Sequence, residues 1–514
     1  MTTRRWIFGV LLALAAGSAS AGDDYAQRIA GYIAAGRESN LALNAAGADV
    51  RRAQAQLDEA RARYRPVIAL SARYSAADGG RTQALPVGDL VNPAYRTLNE
   101  LLQAQGQPPR FADIDNQEIR FLREREQDTR LSLTQPLYAP AIGAGIAAAD
   151  ATLAATDAAR AAYERTLARD IEVAYLDWLR ANASLKIVDA SRELLAENLR
   201  VNQVLHDNGK ITLDQVLRAK AEMLAVEQQS QFVGNAVTQA RNYFNFLLNR
   251  PLDTAIEGTE TPDPDVHAQQ QLAALGGDAA ALDVGELEQA AQRARAEMTQ
   301  IGAQVRAASA GIDVERANTL PTIGFGVDAG IQGEDYGFGS GQNYAIASVV
   351  LDWRIADFGQ SRSRVAAARA TLERAQIARK EVSSQIALEV RQAADRLRTS
   401  QASLATAQAR QKAAAEGFRI AARKRDAGSI AQVEFIDARS ALTSAELNFN
   451  LTRFDVLVRL AELRAARRWV CEAVEDVVVS GEAAAGEPES LLPATNNQQP
   501  TTNNQDRPPC SAPC

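Results

Sequence analysis

The sequence predicts a mainly α-helical protein with a β-barrel part, built from one unit that occurs twice. Three observations predict it. Helical periodicity gives way to strict alternation at two prolines, in AQAQLDEARARYRPVIALSARYS around Pro66 and AASAGIDVERANTLPTIGFGVDAG around Pro321. Each switch is followed by a second alternating stretch, ending in Leu133-Thr134-Gln135-Pro136-Leu137 and in Leu351-Asp352-Trp353-Arg354-Ile355, and each of these feeds a very long helix. Beyond the N-terminal leader, no window approaches the roughly 18 consecutive apolar residues of a membrane-spanning helix, so any membrane part must be made of strands. The repeated unit reads helix, strand, loop, strand, long helix, return helix, and a repeat of this size sets the architecture.

Residues 1–21 read as a secretory signal. Arg4 and Arg5 form the charged region, Trp6 to Ala16 the apolar region, and Ala19-Ser20-Ala21 a small-residue cleavage site. The mature chain is expected to begin near Gly22. The first repeat then covers 22–250, a linker 251–285, the second repeat 286–470, and an equatorial segment with an Asn/Gln/Pro-rich disordered tail 471–514. The net charge of −7 falls to about −9 without the signal arginines, which argues against nucleic acid.

Cys471, Cys510 and Cys514 lie outside the repeats, so no disulfide framework holds the core. A Cys510–Cys514 disulfide in an oxidising compartment and two incidental thiols in a tail are both open readings. His206 and His267 are the only histidines, and no HExxH, GxSxG, Walker or Rossmann pattern stands in a suitable context. The expectation is therefore no enzyme, no cofactor and no metal site.

Residues 24–64 read as helical, and strand character runs from Pro66 to about Ser75. The second copy is cleaner. Ile323, Phe325, Val327, Ala329 and Ile331 share one face, and Thr322, Gly324, Gly326, Asp328 and Gly330 the other. Apolar on one side and small or polar on the other suits a strand between lipid and water, although an ordinary half-buried strand has the same period. The leader and the lack of apolar helices tip the balance towards a barrel.

The return strands are placed at Thr129–Gln135 and Gln342–Asp352. The second connecting loop is short and Gly-rich, from Gly333 to Gly341. The first runs from about Ala76 to Asp128 with a short helix near Ala94–Gln103, and a loop that long is usually functional or mobile. Tyr74, Tyr138, Tyr336, Tyr344 and Trp353 lie near strand ends, where an aromatic girdle is expected.

Ala141–Asp207 and Gly359–Asp426 have no interior proline, and at 1.5 Å per residue each would span roughly 100 Å. In the first, Leu167, Ile171, Ala174, Trp178, Ala181, Leu185, Val188, Arg192, Leu195 and Leu199 recur in alternating steps of four and three, the seam of a coiled coil. Ile377, Val382, Ile386, Val390, Leu397 and Leu404 form a looser version in the second. Many remaining positions are Ala, as suits a thin layer of closely packed helices. The long helices stop at Asp207-Asn208-Gly209 and Asp426-Ala427-Gly428, where Gly supplies the left-handed cap. Return helices follow from about Leu213 to Asn249 and from about Ala431 to Arg468.

Four strands cannot close a barrel, and two unpaired edges in lipid cost several kcal/mol per unsatisfied backbone group. The chain therefore predicts a homo-oligomer. A periplasmic coiled-coil scaffold or adaptor is the alternative, and would require the alternating segments to be soluble hairpins.

With these features in place, the chain resembles the TolC-type outer-membrane efflux and secretion channels, the outer membrane factor family, over roughly residues 24–470. The carriers are the duplicated element order, Leu133-Thr134-Gln135-Pro136-Leu137-Tyr138, Leu351-Asp352-Trp353-Arg354-Ile355 and the two Gly hairpin tips. The resemblance implies a homotrimer with one 12-stranded barrel in the outer membrane of a Gram-negative bacterium, continued by a periplasmic helical tunnel. It implies a passive exit duct for type I protein secretion or multidrug efflux. Its partners would be outer-membrane lipid, a periplasmic adaptor and an inner-membrane transporter of the ABC or RND type. The lack of a lipid-anchor Cys after the leader leans towards the secretion branch.

The resemblance also assigns sites. Glu434 and Asp437, three apart on one helix face, match the acidic ring at the channel entrance, where the family often has Asp at the first position. The same pair is what an ordinary solvated helix face carries. Gly209, Thr212, Asp214 and Gln215 match the first partner-docking hairpin tip. Gly428 and Ser429 match the second, which lacks the usual Thr. Arg423, Lys424 and Arg425, opposite Asp214 and Gln215, are candidates for the polar links that hold neighbouring hairpins closed, or else plain surface charges.

Overall fold

The computed structural model describes residues 21–257, 279, 282–339 and 341–467. Residues 1–20 of the expected signal peptide, most of the expected 251–285 linker with His267, and the expected 471–514 tail with all three cysteines lie outside the described residues. The described chain is mainly helical and divides into two compact units. One is made of residues up to Arg52, Ala154–Gln304 and from Ala375 onward; the other of Ala53–Leu153 and Val305–Arg374. No described helix is long and apolar enough to cross a membrane.

The second unit holds the strands. β1 (Val67–Ala76), β4 (Arg125–Tyr138), β5 (Thr322–Gly333) and β6 (Asn343–Asp352) form one antiparallel sheet in the order β1-β4-β5-β6. Its register sorts the side chains by face. Ile68 stands opposite Leu133, Leu70 opposite Leu131, Leu133 opposite Val327, Phe325 opposite Val349 and Ile323 opposite Leu351, all on one side. Thr134, Gly326 and Ser348 share the other side, as do Ser132 and Asp328, whose side chains hydrogen-bond. On that side Asp128 accepts from Tyr344 Oη at 3.4 Å, and Arg130 Nε donates to Ser71 Oγ at 3.4 Å. Ile346 and Val350 on β6 are apolar exceptions there. Tyr344 thus belongs to the polar face rather than to a girdle, whereas Tyr74, Tyr138, Tyr336 and Trp353 are exposed.

β4 is longer than the expected Thr129–Gln135, because its polar start continues the ladder: Gln127 pairs with both Tyr74 and Gly333. Its far end passes Pro136, where the register with β5 shifts. A proline is tolerated there because β1 begins only at Val67, opposite Thr134, so no strand needs the missing N–H on that side.

The strand bases are tied alike in both hairpins. Gln135 Nε2 donates to the Tyr64 carbonyl at 2.6 Å, two residues before Pro66. Trp353 Nε1 donates to the Thr319 carbonyl at 3.3 Å, two residues before Pro321. Each donor stands two positions after the motif leucine, Leu133 or Leu351.

The loop between β1 and β4 is an ordered insert. β2 (Thr82–Leu85) pairs with β3 (Gln117–Arg120), and between them α3 runs over Val87–Ala104. It starts earlier than the expected Ala94 and runs through Pro93. Asn side chains bind the helix to the segment that follows. Asn92 exchanges two bonds with Ile114, 2.9 and 2.8 Å, and Asn99 bonds both the carbonyl and the N–H of Phe111.

The first unit is helical. Its members are α1 (Ala21–Ser39), α5 (Leu213–Leu247), α6 (Val284–Ala294), α9 (Gln432–Arg467) and the matching parts of α2 (Leu41–Ala62), α4 (Pro140–Asp207), α7 (Ala296–Ala317) and α8 (Gln360–Asp426). Tyr175, Phe244 and Phe454 are fully buried at its core with Ile171, Val390, Leu397 and Leu463. Tyr32 meets Phe244 edge-on at 4.9 Å. Gly36 packs so closely on α4 that a Cβ there would fall on Ile171. The predicted α4 seam is buried at Leu167, Ile171, Ala174, Trp178, Val188, Leu195 and Leu199. It breaks at Arg192, which turns out to pair with Asp189 at 3.6 Å. In α8 the seam begins later than expected, because Ile377 is exposed.

Candidate functional site

The two hairpin tips of the helical unit have the same backbone design. Gly209 has φ 69° and Gly428 φ 68°. At the first tip the Gly209 N–H bonds the His206 carbonyl at 2.7 Å and the Lys210 N–H bonds the Leu205 carbonyl at 2.9 Å. At the second, Gly428 bonds Arg425 at 2.8 Å and Ser429 bonds Lys424 at 2.8 Å. This double bond pattern around a left-handed residue is the Schellman motif, and it satisfies carbonyls that the helix end would otherwise leave open.

Thr212 sits at the N-cap of α5 with extended backbone, but its hydroxyl bonds the Asp214 carboxylate instead of capping the helix. Gln215 returns its N–H to the Thr212 carbonyl at 3.2 Å. Asp214 lies in the first turn of α5, where a carboxylate complements the positive helix end. Ser429 adds a bond from its hydroxyl to the Lys424 carbonyl at 3.1 Å.

Glu434 and Asp437 are both exposed in the first two turns of α9, one turn apart on the side away from buried Phe435 and Arg439. Among the described residues, neither carboxylate has a hydrogen bond or an ion pair within the chain. Arg423 and Lys424 are exposed. Arg425 is already engaged: its guanidinium lies 4.1 Å over the Phe435 ring and 3.4 Å from Asp426. Within one chain no hydrogen bond joins these three cations to Asp214 or Gln215.

What does join the two hairpins is a polar seam between α4 and α9. Gln432 Nε2 donates to Asn198 Oδ1 at 2.6 Å. Arg439 Nε donates to Ser191 Oγ at 3.2 Å, and Thr443 Oγ1 lies 3.1 Å from the same Ser191 oxygen. Asn450 Nδ2 donates to Ser184 Oγ at 2.9 Å and to the Arg180 carbonyl at 3.0 Å. Burial pushes the Arg439 guanidinium below its ordinary range and the Glu446 carboxyl above its own, and each charge partly offsets the shift of the other.

Sequence reading missed this seam, though a signal for it exists. Ser184, Ser191 and Asn198 recur every seven residues, each one position before the seam residues Leu185, Arg192 and Leu199. Gln432 and Arg439 are likewise seven apart, as are Thr443 and Asn450. Heptad-spaced polar residues beside an apolar seam read as solvent-facing until the partner helix is known.

No curated protein sequence matches the chain significantly. Solved structures do. The outer-membrane channel OprN aligns at 18% identity over 87% of this chain and 90% of its own, with a TM-score of 0.66. The CmeC outer membrane channel of Campylobacter jejuni aligns at 14% over 94% and 97%, TM-score 0.67. CusC, a protein whose structures concern transmembrane channel formation, aligns at 15% over 86% and 92%, TM-score 0.68. Likeness at this identity establishes the fold. Residues 33–250 and 287–467 match the family described as outer membrane efflux protein, which covers both strand hairpins, both long helices and both tips. The chain belongs to the outer membrane efflux protein family, whose members are channels of the Gram-negative outer membrane.

Proposed function

We propose that the protein is a passive exit duct across the outer membrane, assembled as a homotrimer whose three four-stranded sheets close one 12-stranded barrel. The observation that carries this reading is the sheet itself. It has one mainly apolar face, an opposite face dominated by Ser, Thr, Gly and hydrogen-bonded charges apart from Val67, Ile346 and Val350, and two edges, β1 and β6, each bonded on one side only. Such a sheet suits lipid on one side and water on the other, and only further copies complete its hydrogen bonds. Exposed Phe232, Tyr243, Phe246, Ile377 and Leu451 on the helical unit support lateral contacts between copies.

In this reading the helices extend the duct into the periplasm. The tips carrying Gly209, Thr212, Asp214, Gln215, Gly428 and Ser429 meet a periplasmic adaptor and an inner-membrane transporter of the ABC or RND type, which supplies the energy. Type I protein secretion and multidrug efflux are the two cargo classes. Glu434 and Asp437 form two stacked rings of three carboxylates at the entrance, and Arg423 and Lys424 are the cations free to link neighbouring hairpins. Arg425 is better explained by its stacking on Phe435.

Planar-bilayer recording of the purified protein, with its oligomeric state fixed by native mass spectrometry, tests the reading. A trimer with discrete, cation-selective conductance steps is expected. A monomer or dimer without conductance would overturn the barrel. Changing Glu434→Ala together with Asp437→Ala is expected to weaken cation selectivity and block by multivalent cations, and unchanged selectivity would remove the pair from the entrance.

A further inference from the structure

The insert between β1 and β4 has an unpartnered side. On α3 the residues facing the Asn-held segment are Gly88, Asn92, Tyr95 and Asn99; Tyr95 packs on Phe111 at 5.1 Å. The opposite side presents Leu90, Ala94, Thr97, Leu98 and Leu101, with Leu90 76% exposed, Leu101 56% and Leu98 43%. Leu90, Ala94, Thr97 and Leu101 follow steps of four, three and four, the spacing by which one helix packs along another. The insert spends its polar side chains inward: Asn92, Asn99 and Asn116 hold the segment 110–116 to the helix, and Arg96 pairs with Asp113 at 2.9 Å. The hydrogen bonds of the α3 side chains all end within residues 89–116. A hairpin held by its own hydrogen bonds therefore carries a leucine stripe that none of the described residues covers.

Two observations identify the occupant. The insert springs from β1, the sheet edge that requires another copy for its hydrogen bonds, and from the strand ends farthest from α2 and α4. Closing the barrel thus repeats the insert around one mouth. In addition, α3 has a single basic residue, Arg96, against Asp89 and Glu100. Helices that lie on an anionic membrane surface carry Lys and Arg on their polar face, so lipid is the poorer occupant.

We propose that the α3 helices of the copies that complete the barrel pack leucine stripe to leucine stripe over its outer mouth, forming a cap that narrows the exit. This rests on the trimeric duct proposed above. The cap is a constriction separate from the carboxylates proposed for the entrance. It opens by separating three small apolar contacts, with no change in the barrel wall.

Cysteine cross-linking in the full-length protein tests it, with Cys471, Cys510 and Cys514 changed to Ser. Oxidation of Ala94→Cys, at the centre of the stripe, is expected to give a covalent dimer on denaturing gels, whereas Gln103→Cys, on the opposite side of α3, gives none. Native mass spectrometry is run on both variants. Trimers without an Ala94 cross-link would overturn the cap and leave the duct standing, and absence of trimers would overturn both. As a second arm, the combined variant Leu90→Asp, Leu98→Asp and Leu101→Asp is expected to raise single-channel conductance roughly twofold or more. Unchanged conductance in intact trimers would count against the constriction.

Discussion

At the scale of single residues, the helical unit is held by a few partly buried polar groups whose removal should be measurable. Ser191 is the clearest case, because its one hydroxyl serves Arg439 and lies beside Thr443 between two helices. Replacing Ser191 by Ala leaves a buried guanidinium N–H unpaired, which costs about 1–2 kcal/mol. Thermal unfolding followed by circular dichroism should show the loss, and it should exceed that of Ser403→Ala on exposed α8 surface. Glu297 makes a prediction about pH. Burial raises its carboxyl, but hydrogen bonds from Arg295 and the charge of Arg165 more than offset this and hold it below its ordinary value of 4.5. A carboxyl depressed in the folded state stabilises the fold above its unfolded pKa and loses that contribution as pH falls through the folded value. Glu297→Gln should therefore melt below wild type at pH 7, and the gap should shrink progressively as pH drops below 4.5. A gap independent of pH would show that the Arg295–Glu297 pair contributes nothing through ionisation.

At the scale of elements, the tips and the strand bases are the places where local chemistry decides the path of the chain. Gly209 and Gly428 hold φ near +69° and +68°, a region that costs other L-residues roughly 1 kcal/mol. Gly209→Ala and Gly428→Ala should each lower stability by about that amount, and hydrogen exchange should speed up first in the last turns of α4 and α8. Unchanged exchange there would mean that the caps do not set the helix ends. Both tips were legible in the sequence because a Gly after a long periodic run is a local signal. So were the strand faces, because alternation with period two needs no partner to be read. The strand bases were legible only as motifs: Gln135 and Trp353 stood out in theirs, but their bonds to Tyr64 and Thr319 depend on a turn 71 and 34 residues away. The start of α3 was misplaced for a local reason. Pro93 reads as a barrier to a helix, yet the helix continues through it, held from the side by Asn92 and Asn99. The heptad spacing of Ser184, Ser191 and Asn198 stands in the sequence, but its meaning was hidden for a tertiary reason, since nothing in α4 says that α9 will lie against that stripe.

At the scale of the whole molecule, the surfaces left open are as informative as the core. The sheet has two free edges, the helices expose large apolar side chains, and the insert exposes a leucine stripe, so the isolated chain is an incomplete object. The assembly proposed here assigns opposite environments to the two faces of one sheet, and that assignment has an asymmetric consequence. Val327 lies on the apolar face between Leu133 and Ala347; Thr134 lies on the other face between Val67 and Gly326. A lysine facing lipid near the bilayer midplane costs about 2–4 kcal/mol, whereas one facing water in a lumen costs little. Val327→Lys should therefore deplete folded oligomer from the outer-membrane fraction, and Thr134→Lys should leave its amount unchanged while lowering conductance of cations through the added positive charge. Both variants change one residue on the same sheet by the same side chain, so a general intolerance of lysine would reduce both equally. Equal reduction would contradict the division into lipid and water faces, and the reverse order would turn the barrel inside out.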